Sequence, residues 1–239
     1  SYRRQRQMCI RDRCEGPEAS IFFHISSGFY GSEVQFLGSA QDFKRRFAGD
    51  EGPNTGGMGA YVPNSSVSDD DLSVFQFWAE KVAEKMSEEG KPYHGILYMG
   101  LMKDREKGWV LIEFNSRFGD PETQALVLSW AREKRVLRNA LALDLKQGER
   151  VFSDDEKAVV CLALVRPEYP GKAPSNFELA DWMVEQEDCQ LFRSQSIGGR
   201  VAYLVAEGSD RSKACERIFQ ELLNSPWKEK LEWRPDIIA

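Results

Sequence analysis

Glu113-Phe114-Asn115-Ser116-Arg117-Phe118-Gly119-Asp120-Pro121-Glu122 is the stretch whose reading decides the fold. It ends an apolar run over residues 109–115 and passes through the turn-forming Gly119-Asp120-Pro121 into a helical pattern, which predicts strand, tight turn and helix. Alternate residues of a strand share a face. Glu113, Asn115 and Arg117 therefore align on one side, and Ile112, Phe114 and Phe118 are expected to face the core. A carboxylate beside an amide oxygen suits Mg²⁺, a hard cation that takes few protein oxygens and completes its shell with phosphates and water. An arginine on the same side can grip a phosphoryl oxygen. A half-buried strand with a polar outer face has the same pattern, so these ten residues alone leave both readings open.

Upstream, Gln41-Asp42-Phe43-Lys44-Arg45 precedes Gly52-Pro53-Asn54-Thr55-Gly56-Gly57-Met58-Gly59-Ala60-Tyr61. Closely spaced glycines let the backbone approach a ligand and turn N–H groups toward an anion, and Asp42, Lys44 and Arg45 stand just before them. An ordinary glycine-rich surface turn is the competing account. Residues 38–66 as a whole read as one long polar loop, a length that tends to be functional.

The rest of the chain frames these two blocks. Residues 21–25 and 34–37 predict a hairpin around Gly28 and Gly31, and residues 96–102 and 109–115 predict a second one. Ser68, followed by Asp69, Asp70 and Asp71, supplies a helix cap and first-turn acids. Leu72, Phe75, Ala79, Val82, Ala83 and Met86 then keep one apolar stripe as far as Gly90. A second helical region is expected over residues 122–146, a strand over 158–165, another over 201–206 and a helix over 210–223. A composition shift places a domain boundary near residue 150.

Composition bounds the function. The 239 residues carry a formal charge of −6, which argues against a nucleic-acid binder working by bulk charge. With 41% hydrophobic and 29% charged residues the chain is globular rather than disordered, and it contains no apolar run of the roughly 20 residues a membrane helix needs. Cys9, Cys14, Cys161, Cys189 and Cys215 are odd in number and lack paired spacing, so neither a disulfide framework nor a zinc site is expected, and a reducing cytoplasm fits. His24 and His94 are too few and too far apart for a metal cluster. Residues 1–14 hold five arginines and one acid. That composition allows a transit peptide or an anion-binding arm; our expectation is a non-native leader, translated read-through joined to a truncated gene.

Taken together, the two long blocks resemble the glycinamide ribonucleotide synthetase (phosphoribosylamine-glycine ligase) family of ATP-grasp enzymes nearly letter for letter. Tyr169-Pro170-Gly171, Gly198-Gly199-Arg200-Val201 and Arg234-Pro235-Asp236-Ile237 resemble its later motifs, so the likeness runs over residues 15–239. It implies an α+β chain: a partial ATP-grasp domain of mostly antiparallel sheet with helices over residues 15–150, then a small β-rich C-terminal domain over 151–239. The implied reaction consumes ATP, glycine and 5-phosphoribosylamine and passes through glycyl phosphate to glycinamide ribonucleotide, in purine biosynthesis.

By motif, the resemblance makes Glu113 and Asn115 ligands of Mg²⁺ or Mn²⁺, and it makes Arg117 the group that steadies the transferring phosphoryl or acyl phosphate oxygens. Asn54, Thr55, Gly56, Gly57 and Met58 would shape the substrate pocket. Lys44 and Arg45 would face phosphate, and Asp120 would hold its turn or an amine. Phe43 stands where the family has histidine, and Arg166-Pro167-Glu168 replaces glycines before Tyr169. The family's N-terminal half, with the hinge that holds adenine, has no counterpart here, so we expect a C-terminal portion that depends on that missing half and has no appreciable ligase activity by itself. Another ATP-grasp carboxylate-amine ligase and a non-catalytic binding module are the competing readings. The text after Asn115 argues against the former, and the intact trio Glu113, Asn115 and Arg117 against the latter.

Overall fold

A computed structural model describes residues 16–28, 31–131, 157–171, 180–184, 188–194 and 199–239. The expected leader over residues 1–14, the second helix beyond residue 131 and the boundary near residue 150 lie outside the described residues.

The described strands form one eight-stranded sheet, ordered β7-β6-β1-β2-β5-β8-β10-β9, and a two-stranded ribbon of β3 and β4. The strands are β1 (Glu18–Gly28), β2 (Gly31–Asp42), β3 (Arg45–Phe47), β4 (Glu51–Asn54), β5 (Gly59–Val62), β6 (His94–Asp104), β7 (Gly108–Asn115), β8 (Ala158–Val165), β9 (Cys189–Arg193) and β10 (Arg200–Gly208). Every pairing is antiparallel. With its helices the architecture is α+β, as the family resemblance implies. Both hairpins form: Gly28 faces Gly31 at the tip of β1–β2, and β6 pairs β7 out to Asp104 and Gly108.

Residues 38–66 depart from the expected loop. They hold the end of β2, the β3–β4 ribbon and β5. All four residues of β5 are buried, because β5 lies between β2 and β8. Gly59 is required there: a Cβ would stand 2.6 Å from the Cys161 carbonyl oxygen. β8 belongs to the segment expected to form the C-terminal domain, and it hydrogen-bonds β5 directly.

Apolar alternation along β1 feeds two cores. Ile21, Phe23 and Ile25 go to one side of the sheet, where helix α1 (Asp69–Glu88) lays Phe75, Ala79 and Ala83 on them at four-residue spacing. Burying one such phenylalanine stabilises by roughly 1.5–3 kcal/mol. The start of α1 is fixed by a reciprocal capping box, in which Ser68 Oγ accepts the Asp71 N–H and the Asp71 carboxylate accepts the Ser68 N–H. Phe22 points to the opposite side, where helix α2 (Glu122–Ala131) contributes Ala125, Leu126 and Trp130. Helix α3 (Arg211–Asn224), capped by Asp210, packs Ala214, Ile218 and Leu222 into that same core against β8 and β10.

The sequence places Ile112 and Phe114 in the core, and the structure corrects this: they are 55% and 43% exposed. Among the described strands β7 is the edge of the sheet, and a bulge opposite Gly100 and Leu101 breaks its alternation at Ile112. Phe118 packs against the main core, as expected.

Candidate active site

One face of the sheet carries a continuous polar strip between the two sequence blocks. At its edge, Glu113 lies opposite Gly100 and Asn115 opposite Tyr98, and Asn115 Nδ2 donates to Glu113 Oε1 at 3.0 Å. The two groups therefore sit side by side, as strand alternation predicts. Gly100 makes room for the acid, since a Cβ there would stand 3.1 Å from Glu113 Cγ. Arg117 lies beyond the end of β7, and its Nη1 donates to the Phe118 carbonyl at 2.9 Å. The expected three-residue alignment thus holds for Glu113 and Asn115 only.

Inward along the strip, Tyr98 and Ser20 share a hydrogen bond of 3.0 Å, and Ser20 Oγ donates to Glu122 Oε1 at 2.9 Å. A serine hydroxyl has one proton, so while Ser20 donates to Glu122 it accepts from Tyr98. Glu122 and Asp42 are both almost fully buried. Burial, reinforced at Asp42 by the charge of Glu122, pushes the Asp42 carboxyl well above the ordinary range, and burial raises Glu122 as well. Burial likewise raises the Tyr98 hydroxyl, with Glu122 adding to it.

Lys44 is the cation of this cluster. Its Nζ lies 2.9 Å from Glu18 Oε2 and 3.7 Å from Asp42 Oδ2. Burial works against its charge, but the neighbouring acids Asp42 and Glu18 outweigh it and raise the Lys44 pKa. The sequence places Lys44 toward phosphate; in the structure it is engaged with two carboxylates. Glu18, Ser20, Tyr98 and Glu122 are not among the residues the sequence singles out. The even spacing of Glu18, Ser20 and Asp42 within their strands is the available signal, and it identifies nothing until the strands are paired.

The glycine-rich loop closes the strip. Thr55 anchors it through two hydrogen bonds to the Lys44 carbonyl, each 2.8 Å, one from its N–H and one from Oγ1, and Thr55 Oγ1 accepts the Gly57 N–H at 3.0 Å. Gly57 has φ +114°, and a Cβ would lie 2.4 Å from Pro121 Cδ and 3.1 Å from Asp42 Oδ1. Only glycine allows this approach.

Met58 is fully buried in the main core, with its N–H given to Phe43 and its carbonyl taken by Ala163. It anchors the loop and has no side-chain atom to offer a substrate. Asn54 is exposed at the end of β4, and Arg45 donates from β3 to the Gly52 carbonyl at 2.7 Å. Asp120 accepts Gln124 Nε2 on Oδ1, and Arg200 and Tyr203 on Oδ2. Of its two expected roles, these bonds suit holding the turn.

The donor set at the sheet edge suits a divalent hard cation once the Asn115 amide, whose Nδ2 faces Glu113, turns its oxygen to that side: carboxylate and amide would then supply two oxygens and leave the remaining positions to phosphate and water. Among the described residues no cluster of three or more His, Cys, Asp or Glu could hold a metal by itself, and no helix is long and apolar enough to cross a membrane.

Comparison with known proteins agrees with this geometry. Residues 3–123 match the family described as phosphoribosylglycinamide synthetase, ATP-grasp (A) domain. The phosphoribosylamine-glycine ligase of Halalkalibacterium halodurans is 34% identical over 97% of this chain and 54% of its own length, and that of Lactococcus lactis is 36% identical over 98% and 57%. The chain thus spans about half the length of the curated relatives it matches. Among solved structures, the Thermotoga maritima phosphoribosylamine-glycine ligase superposes with a TM-score of 0.67 at 23% identity, covering 93% of this chain and 54% of that one. Biotin carboxylase from Campylobacter jejuni superposes at 0.64 and 13% identity, covering 92% and 47%. These two likenesses establish the fold, and the family match establishes descent: the chain belongs to the phosphoribosylglycinamide synthetase family, with residues 3–123 matching its ATP-grasp (A) domain.

Proposed function

We propose that the protein is the metal-side and phosphate-side portion of an ATP-dependent ligase that joins glycine to 5-phosphoribosylamine. The observation that carries this reading is the Glu113–Asn115 pair at the open end of the strip that runs through Tyr98, Ser20 and Glu122 to Asp42 beneath the glycine loop. In the proposed reaction a glycine carboxylate oxygen attacks the γ-phosphorus of ATP, releasing ADP and forming glycyl phosphate. The amine of phosphoribosylamine then attacks the acyl carbon, and phosphate leaves as the amide forms.

Glu113 and Asn115 would hold Mg²⁺ or Mn²⁺, and the metal when bound neutralises charge on the nucleotide's terminal phosphates. Arg117, just beyond the end of the same strand, would balance charge on the transferring phosphoryl group. Residues 54–57 would form the wall of the substrate pocket, positioned by Thr55. Lys44, paired with Glu18 and close to Asp42, would offset the acids beneath that wall. The remaining length of the relatives would supply the rest of the nucleotide site, and a small-molecule ligase of this family would work in the cytoplasm.

The test uses the gene product extended to its relatives' length. ADP release should require glycine and phosphoribosylamine together and yield glycinamide ribonucleotide. Release driven equally well by a different carboxylate or amine would overturn the substrate assignment.

A further inference from the structure

Arg200, on β10, reaches the glycine loop and the Asp120 turn at once. Its Nη1 donates to the Gly56 carbonyl at 2.6 Å, to the Asp120 carbonyl at 2.6 Å and to the Gly57 carbonyl at 3.4 Å, and its Nη2 donates to Asp120 Oδ2 at 2.8 Å. Tyr203, on the same strand, gives its hydroxyl to that same carboxylate oxygen at 3.1 Å, and the Arg200 guanidinium carbon lies 5.8 Å from the Tyr203 ring centre. From the other side Tyr169 accepts the Gly56 N–H at 2.8 Å. A Cβ on Gly56 would stand 3.0 Å from Arg200 Nη2 and 3.2 Å from the Tyr169 hydroxyl, so the glycine is what admits the clamp.

The loop and the turn are separated by 60 residues, and among the described residues no strand pairing joins them. A planar fork with fixed donor directions can satisfy carbonyls on one segment and a carboxylate on the other; a lysine ammonium is a point donor on a flexible stem and cannot span the same set.

We propose that Arg200 is a positioning residue that locks the loop over residues 54–58 and the turn over 119–121 into one rigid unit, so that the substrate wall and the start of α2 keep a fixed spacing. This assignment deepens the ligase reading and rests on it for its kinetic consequence. Arg200 touches neither the metal pair nor Arg117. Its loss should therefore weaken the holding of glycine and phosphoribosylamine more than that of the nucleotide.

The test is amide hydrogen exchange together with steady-state kinetics on the full chain and its R200A and R200K variants. In both variants, amides of residues 54–58 should exchange about tenfold or more faster, as expected when charge-assisted bonds that hold a loop are lost, while peptides of β1, β6 and β7 keep wild-type rates. KM for glycine and for the amine should rise several-fold against a smaller change for ATP. Free guanidinium should restore part of the loss in R200A and none in R200K, whose side chain still fills the space.

Wild-type exchange in the loop of R200A, wild-type behaviour of R200K, or uniform loosening of every peptide would each overturn the proposal. If the unaltered full chain fails to ligate glycine, the ligase reading fails, and the exchange data still decide whether Arg200 holds the loop. R200K preserves charge and bulk and so keeps the test available should R200A fail to fold.

Discussion

Ser20 Oγ on β1 donates to Glu122 Oε1 at the first residue of α2, a 2.9 Å hydrogen bond spanning 102 residues of sequence. It fastens the helix to the sheet next to a second buried carboxyl, Asp42, whose cost of ionisation the charge of Glu122 increases. An acid whose folded pKa is raised binds its proton in the native state at pH values where the unfolded chain has already released it. Stability then falls as pH rises from the ordinary carboxylate value of about 4 through the raised native values. Glu122→Gln keeps the acceptor for Ser20 and removes the titration, so its urea midpoint should decline less with rising pH than that of the wild type. Asp42→Asn should behave in the same way. Parallel midpoint-versus-pH curves for wild type and both variants would contradict the assignment.

Gly57 gives a sharper test of the loop. Its φ of +114° and the 2.4 Å that would separate an added Cβ from Pro121 Cδ make alanine doubly unfavourable. Gly57→Ala should cost about 1–3 kcal/mol from backbone strain and more from the overlap. Gly90 follows α1 with φ +71° and open space around its Cβ direction, so Gly90→Ala carries the strain alone, about 1–2 kcal/mol. Urea unfolding of the two variants should rank Gly57→Ala as clearly the worse; equal losses would show that the loop does not hold this approach in solution.

How much of this was legible in the sequence depends on the range over which each element is decided. The β1–β2 and β6–β7 hairpins and the stripe Phe75, Ala79, Ala83 are set by local periodicity and nearby turn residues, and they appear where the pattern puts them. β5 has four residues with two small side chains, and it becomes a strand because β8, about 100 positions later, pairs with it; no local window contains that information. Ile112 and Phe114 misled for the opposite reason: the alternation is right for an interior strand, and β7 is an edge with a bulge. At the site, adjacency of Glu113 and Asn115 follows from a period of two within one strand. Arg200 meeting Gly56, or Glu122 meeting Ser20, requires the sheet to be assembled first.

The cap of α1 is a local feature whose energy can be read directly. Ser68 Oγ and the Asp71 carboxylate satisfy each other's backbone N–H groups, and Asp69 and Asp70 add negative charge to the first turn. Ser68→Ala should lower stability by about 1 kcal/mol, and Ser68→Asp should recover most of it. A thermal melt that leaves Ser68→Ala unchanged would mean that packing of Phe75 and Ala79 alone fixes the start of the helix.

The Glu113–Asn115 pair separates chemistry from stability. Glu113 stands exposed on an edge strand, so Glu113→Gln should change the unfolding free energy by no more than about 0.5 kcal/mol, the usual range for surface substitutions. In the full-length protein the same change removes the one charged oxygen of the proposed metal site. Glycine-dependent ADP release should fall about 100-fold, the scale seen when a group that stabilises transition-state charge is lost, and the Mg²⁺ concentration for half-maximal rate should rise. Asn115→Asp keeps an oxygen at the same place and adds charge, so it should tighten the apparent Mg²⁺ requirement while disturbing the rate less than Asn115→Ala. If Glu113→Gln leaves the Mg²⁺ dependence of the rate unchanged, the metal is held elsewhere and the polar strip has another use.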